Sequence, residues 1–149
     1  MSDSWIFLIP ADPQVLPEKH AACRAEELLN QIVKHHDGVE TRYFAEMEFF
    51  DAGANFETAA CPLCRTPIED DWLAEAVHKA IWPRCQSLQV LLPCCGQSAS
   101  LNDLEYDFPQ GFGKFSLSVM NPDCELSRDE IASLARALRV AVRIIRRHL

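Results

Sequence analysis

Cys61-Pro62-Leu63-Cys64 and Cys94-Cys95-Gly96 are the residues of this chain best suited to chemistry. Four thiols are the ligand type and number that close a tetrahedron around a zinc ion. The first pair has the spacing of a zinc knuckle. The second is irregular, because adjacent cysteines point to different sides of an extended segment and need a tight turn to converge. On this reading Cys61, Cys64, Cys94 and Cys95 hold structural zinc as thiolates, and the segment 61–95 carries the site. Such a centre has no open position and supplies stability, not catalysis. If one of the adjacent cysteines cannot reach the metal, Cys85 or His78 is the substitute, and three cysteines with one histidine still close the site.

A second reading is redox: a thioredoxin- or glutaredoxin-like thiol oxidoreductase with Cys61 as nucleophile and Cys64 as resolving thiol. A thiol beside a helix N-terminus has its thiolate favoured by the macrodipole. Three features oppose it, one being that the helix and hairpin a thioredoxin fold needs have no place between Leu92 and the last helix. The loop 51–60 separates Cys61 from the preceding strand, whereas a redox motif follows its strand closely. The next helix is expected to start at Thr66, beyond Cys64. A third reading leaves the thiols as small core residues. Cys23, beside the apolar face of a first helix, is expected in the core, and Cys124 has no companion at ligand spacing.

The other polar groups are less organised. Asp103, Glu105 and Asp107 alternate in a long irregular segment and form a candidate acidic rim near the metal, the candidate partner-binding residues. His35-His36-Asp37 closes a helix, where polar groups complement free carbonyls; His20 and His148 carry no signal. Arg136, Arg139, Arg143, Arg146 and Arg147 gather on one side of a last helix, which suits a solvated face or an anion-binding ridge. No Ser-His-Asp set, phosphate-cradling glycine loop or HExxH helix can be assembled.

Hydrophobic periodicity supplies the elements that must position these groups. Trp5 to Ile9 is a short apolar run stopped by Pro10, a buried strand. A helix follows from Pro17 with Ala22, Ala25, Leu29, Ile32 and His36 on one face, and Gly38 stops it. Val39, Thr41, Tyr43, Ala45, Met47 and Phe49 alternate with Glu40, Arg42, Phe44, Glu46 and Glu48, a half-buried strand with an acidic outer side. Thr66-Pro67-Ile68-Glu69 reads as a capping box that opens a helix running to Trp82. Ser87 to Pro93 reads as a buried strand, Ser100 to Gly113 as irregular, and Lys114 to Met120 as a strand. Ser127 to Glu130 is a second capping box, and Ile131, Leu134, Leu138, Val142, Ile145 and Leu149 continue it as one long helix. The order β-α-β-α-β-β-α predicts a single α+β or α/β domain with helices on a small mixed sheet. No internal repeat is visible.

A chain of 149 residues with 48% hydrophobic and 24% charged residues can bury a core in one domain. No apolar stretch reaches the roughly 20 residues of a membrane span. The first ten residues lack a basic n-region and break at Pro10, so a cytoplasmic protein is expected, with seven cysteines kept as thiols or metal ligands. The net charge of −8 disfavours nucleic acid and permits a basic partner. From Glu125 onward six arginines face three acids, while the preceding residues hold eight basic and nineteen acidic groups.

LIPADP near the start, NFE before CPLC, then PCCG, SLNDL and GFGKF together resemble a family of small uncharacterised bacterial proteins, with words spread over most of the chain. In that family the first pair resembles CPxCG; here Arg65 stands in the glycine position. The resemblance implies a bacterial cytoplasmic origin and a pairing of the two cysteine motifs, and it brings no established activity. The expectation is therefore a non-enzymatic, zinc-stabilised protein-binding module, with an immunity-type protein that masks a basic partner as the analogy.

Overall fold

Two distant stretches of the chain interlock to form the main sheet. The computed structural model describes residues 2–82 and 87–149. In chain order the elements are β1 (Ser4–Pro10), α1 (Lys19–Ile32), β2 (Gly38–Phe50), β3 (Ala59–Ala60), β4 (Pro67–Ile68), α2 (Asp70–Ile81), β5 (Gln89–Leu91), β6 (Ser98–Ser100), a 3-10 turn (Leu101–Asp103), β7 (Glu105–Tyr106), β8 (Gly111–Met120), α3 (Arg128–Leu138) and β9 (Val142–His148). The main sheet has the order β2-β8-β1-β9 with every pair antiparallel. β8 thus lies between the strands of the β1-α1-β2 unit, and β1 lies between those of β8-α3-β9. This is the split βαβ, or ferredoxin-like, topology, and the segment carrying the two cysteine motifs is a long insertion between its second and third strands.

Each face of the sheet is covered differently. α1 buries Ala22, Ala25 and Leu29, and α3 buries Leu134 and Leu138, against Ile6, Leu8, Phe115, Leu117 and Val119. Each fully buried leucine there contributes about 2 kcal/mol. The other face carries Phe7, Ile9, Phe50 and Ile145, with Trp5 and Phe44 at its margin. A third cluster belongs to the insertion: Ala59, Cys61, Ile68, Leu73, Leu88, Leu92, Leu101 and Leu104 pack on Met47 and Phe112 at the far end of β2 and β8. With 28% helix and 35% strand the chain is a single α+β domain. Among the described residues no helix is long and apolar enough to cross a membrane.

Several expected boundaries move. The long last helix stops at Leu138, where Arg139 takes a left-handed conformation (φ 63°) and its N–H caps Ala135 and Arg136. Val142 to His148 is instead an edge strand paired with all of β1. The β-branched residues Val140, Val142, Ile144 and Ile145 suit the strand, since their stiff side chains favour the pleated form, and pairing with β1 fixes it there. The arginine ridge therefore does not exist. Arg143 donates to the Gln110 carbonyl (2.9 Å), Arg146 pairs with Glu125 (2.9 Å), and Arg147 pairs with Asp51 (3.0 Å) and covers the Phe7 ring.

Other corrections are local. α1 begins at Lys19 and ends at Ile32, so His35 to Asp37 lie beyond it and Gly38 opens β2. α2 begins at Asp70 with no side-chain cap, because Pro67 and Ile68 are taken by β4. Of the strand expected over 87–93, only Gln89–Leu91 is extended, and Leu91 is exposed. The segment 100–113 is only partly irregular: it holds the end of β6, the 3-10 turn, β7 and the start of β8, with 107–110 outside any element. Cys23 is exposed, not in the core. The capping box at Ser127 forms as expected, with Ser127 Oγ accepting from Glu130 N–H and Glu130 Oε1 accepting from Ser127 N–H.

Candidate metal centre

The two cysteine motifs occupy the tips of two hairpins, and those tips are built alike. In the first, Cys61 N–H donates to the Thr66 carbonyl (2.9 Å) and Arg65 N–H to the Cys61 carbonyl (3.0 Å). In the second, Leu92 N–H donates to the Gln97 carbonyl (2.9 Å) and Gly96 N–H to the Leu92 carbonyl (2.9 Å). The turn Cys61-Pro62-Leu63-Cys64-Arg65-Thr66 is therefore repeated as Leu92-Pro93-Cys94-Cys95-Gly96-Gln97. Arg65 and Gly96 take the same left-handed position, at φ 64° and 71°. The repeat escaped sequence reading because only the proline and one cysteine coincide. Leu92 fills the place of Cys61, and Cys94 supplies the fourth sulfur from the position of Leu63.

This geometry resolves the irregular second pair. The four Sγ atoms of Cys61, Cys64, Cys94 and Cys95 all lie within 4.8 Å of one another and could hold a metal ion. Cys64 Sγ approaches Cys94 Sγ to 3.3 Å, and Cys61 Sγ approaches Cys95 Sγ to 3.9 Å. Cys61 is fully buried and its Sγ accepts the N–H groups of Leu63 (3.3 Å) and Cys64 (3.4 Å). The other three are exposed. Such backbone N–H groups orient a thiolate and disperse its charge.

The side chain of Thr66 has a different task from the helix cap expected of it. Its hydroxyl lies 3.2 Å from Cys64 Sγ. That contact, followed by the Thr66 backbone and the Cys94 thiol, lowers the Cys64 pKa to about 6. The same contact with Cys64 raises the Cys94 thiol to about 12. The exposed pair thus holds one thiolate and one proton at neutral pH.

No protein-family model, curated protein or solved structure matches this chain. The geometry of the site is what its function must be read from.

The remaining candidate residues separate. His78 lies on α2 and lines a groove; it is not one of the clustered ligands, and Cys85 lies outside the described residues. Glu105, on the strand beside the first knuckle, is 3.9 Å from Arg65. Asp107 receives the N–H groups of Glu57 and Phe108, which outweigh its desolvation and lower its pKa, so it clamps a turn. Asp103 is the exposed last residue of the 3-10 turn. Asn102, inside SLNDL, is the residue whose role the sequence did not signal. It is buried, and its side chain accepts from Phe112 N–H (2.7 Å) and donates to the Phe112 carbonyl (3.2 Å).

Arg65 carries a testable cost. A non-glycine residue in the left-handed region is strained by about 1–2 kcal/mol, part of which glycine loses again as entropy. Arg65→Gly is expected to stabilise the protein by about 0.5–1 kcal/mol in urea unfolding, with metal content unchanged.

Proposed function

We propose that the protein is a non-enzymatic binding module, held together by one structural zinc ion, that contacts a basic protein partner in the bacterial cytoplasm. The sulfur cluster carries this reading. A Zn–S bond of about 2.3 Å sets tetrahedral S···S edges near 3.8 Å, and the distances of 3.3 and 3.9 Å bracket that value. Thiolate donors alone suit zinc and leave no position for substrate. The short strands β3 to β7 gain a cross-link that their own burial does not provide. The charge of −8 steers the molecule toward a positively charged surface. Small acidic immunity proteins that mask basic toxins are the nearest analogy in kind, and Asp103, Glu105 and Asp107 are the acids offered for such a contact.

The experiment is a metal assay with a pull-down from the native host. One zinc per chain, loss of structure on strong chelation and recovery of a basic protein support the proposal. Metal-free folded protein, or recovery of nucleic acid alone, overturns it.

Proton release gives an independent check. Above pH 6 Cys64 supplies its thiolate without losing a proton, whereas Cys94 must lose one throughout the neutral range. As pH falls through about 6, Cys64 becomes protonated and its proton must then be expelled. Calorimetric titration in buffers of different ionisation enthalpy should find about one more proton released per zinc at pH 5 than at pH 7, with a lower affinity at pH 5.

The thiol oxidoreductase is the second reading, favoured by the exposed Cys64 and its lowered pKa. Cys61 suits a nucleophile poorly, being fully buried, and α2 starts only at Asp70. The closest sulfur neighbour of Cys64 is Cys94, so a metal-free protein with a reversible Cys64–Cys94 disulfide would favour this alternative.

A further inference from the structure

A groove of about 520 Å³ runs between α2 and the chain leaving β2, away from the sulfur cluster. Its size is that of a small-molecule site. The α2 wall is formed by Asp70, Leu73, Ala74, Val77 and Ile81, which recur at helical spacing. The facing wall holds the rings of Phe49 and Phe56. Neither ring is loose: Phe49 packs on Phe112 at 4.9 Å and Phe56 on Tyr106 at 6.2 Å. The apolar part of the groove is therefore pre-formed.

Its charges are asymmetric. Asp51 is already neutralised by Arg147 at 3.0 Å. The Asp70 carboxylate has no ion pair or hydrogen-bond partner among the described residues. Asp71 beside it keeps the first turn of α2 net negative against the partial positive charge of the helix end. His78 lies two turns further along, roughly 12 Å from Asp70 along the helix axis. One end of the groove is thus an unpaired carboxylate, and its walls are apolar apart from His78, the Arg147-paired Asp51 and Gln110, whose Oε1 is taken by Ala52 N–H.

We propose that this groove binds an organic cation: an ammonium group held at Asp70, carried on an apolar stem that lies along Leu73, Val77 and Phe49. A free arylalkylamine and a peptide-borne lysine side chain share that chemistry.

The test titrates isotopically labelled, zinc-loaded protein with four probes: phenethylamine, 2-phenylethanol, phenylacetate and Nα-acetyl-lysine N-methylamide. Phenethylamine should shift the amides of residues 70–78, Phe49 and Phe56, and should bind about fivefold more tightly than the alcohol. Phenylacetate should bind least. Tighter binding of the lysine amide than of phenethylamine identifies a peptide source, and the reverse a free amine; either supports the site. Asp70→Asn should erase the preference for amine over alcohol. Ala74→Phe, at an exposed position, should fill the groove and abolish binding of all probes while the spectrum stays dispersed. Equal binding of phenylacetate, shifts elsewhere, or no shift with either amine would overturn the assignment.

Discussion

With zinc held as proposed, Cys61→Ser is expected to release it and to destabilise the protein by on the order of 5 kcal/mol. The substitution nearly preserves size, so the effect does not come from a cavity. A serine hydroxyl is a poor zinc ligand, and at a site that excludes solvent it also leaves a polar group among apolar neighbours. Cys61 is the one ligand shared by the sulfur cluster and the core of the insertion. That lobe has strands of two or three residues, which cannot stand as sheets unaided. The main sheet keeps its own cores beneath α1 and α3 and on its other face. Hydrogen exchange should therefore show lost protection over residues 59–106 while β1 and β8 stay protected. Cys23→Ser and Cys124→Ser, at exposed positions, should change stability by less than about 0.5 kcal/mol. Equal effects at Cys61 and Cys23 would remove the metal from the account of stability.

What the chain revealed in advance depended on how local the determining physics was. β1, β2 and the core of β8 follow from alternation and breakers, and the start of α3 from its capping box. All of these are set within a few residues. The α3–β9 boundary was hidden because Ile131, Leu134, Leu138, Val142, Ile145 and Leu149 satisfy helical spacing to the end. Pairing with β1, more than a hundred residues away, decides it. Thr66 was misread for a related reason. Its capping pattern is genuine as a local preference, but β4 pairs with β3 and the hydroxyl turns to Cys64. The clustering of the four cysteines was legible from residue type and spacing. The shape of the tip that brings Cys94 and Cys95 together was not, because it rests on a turn whose second copy shares few side chains with the first. The interleaved sheet order likewise required contacts between residues at opposite ends of the chain.

The second large effect should follow from Asn102→Ala, at an expected loss of about 2–5 kcal/mol. Phe112 lies at the junction where the insertion returns to the main sheet. Its ring is buried in the insertion's core, and its backbone enters β8 paired with Phe49. Asn102 closes both polar groups of that residue, accepting from its N–H at 2.7 Å and donating to its carbonyl at 3.2 Å. Both bonds are buried, so water cannot replace the amide, and each orphaned group costs about 1–3 kcal/mol. The 3-10 turn fixes the amide in place, since Ser100 Oγ accepts from Asn102 N–H at 3.2 Å. Asn55→Ala is the control: it removes one bond to a carbonyl from a half-buried site and should cost about 1 kcal/mol. Urea unfolding at saturating zinc measures both. Zinc content should remain at one per chain in the Asn102 variant, because its side chain bonds to the sheet and not to the knuckles. A loss below 1 kcal/mol would mean that the joint between sheet and insertion is held by Phe112's ring alone.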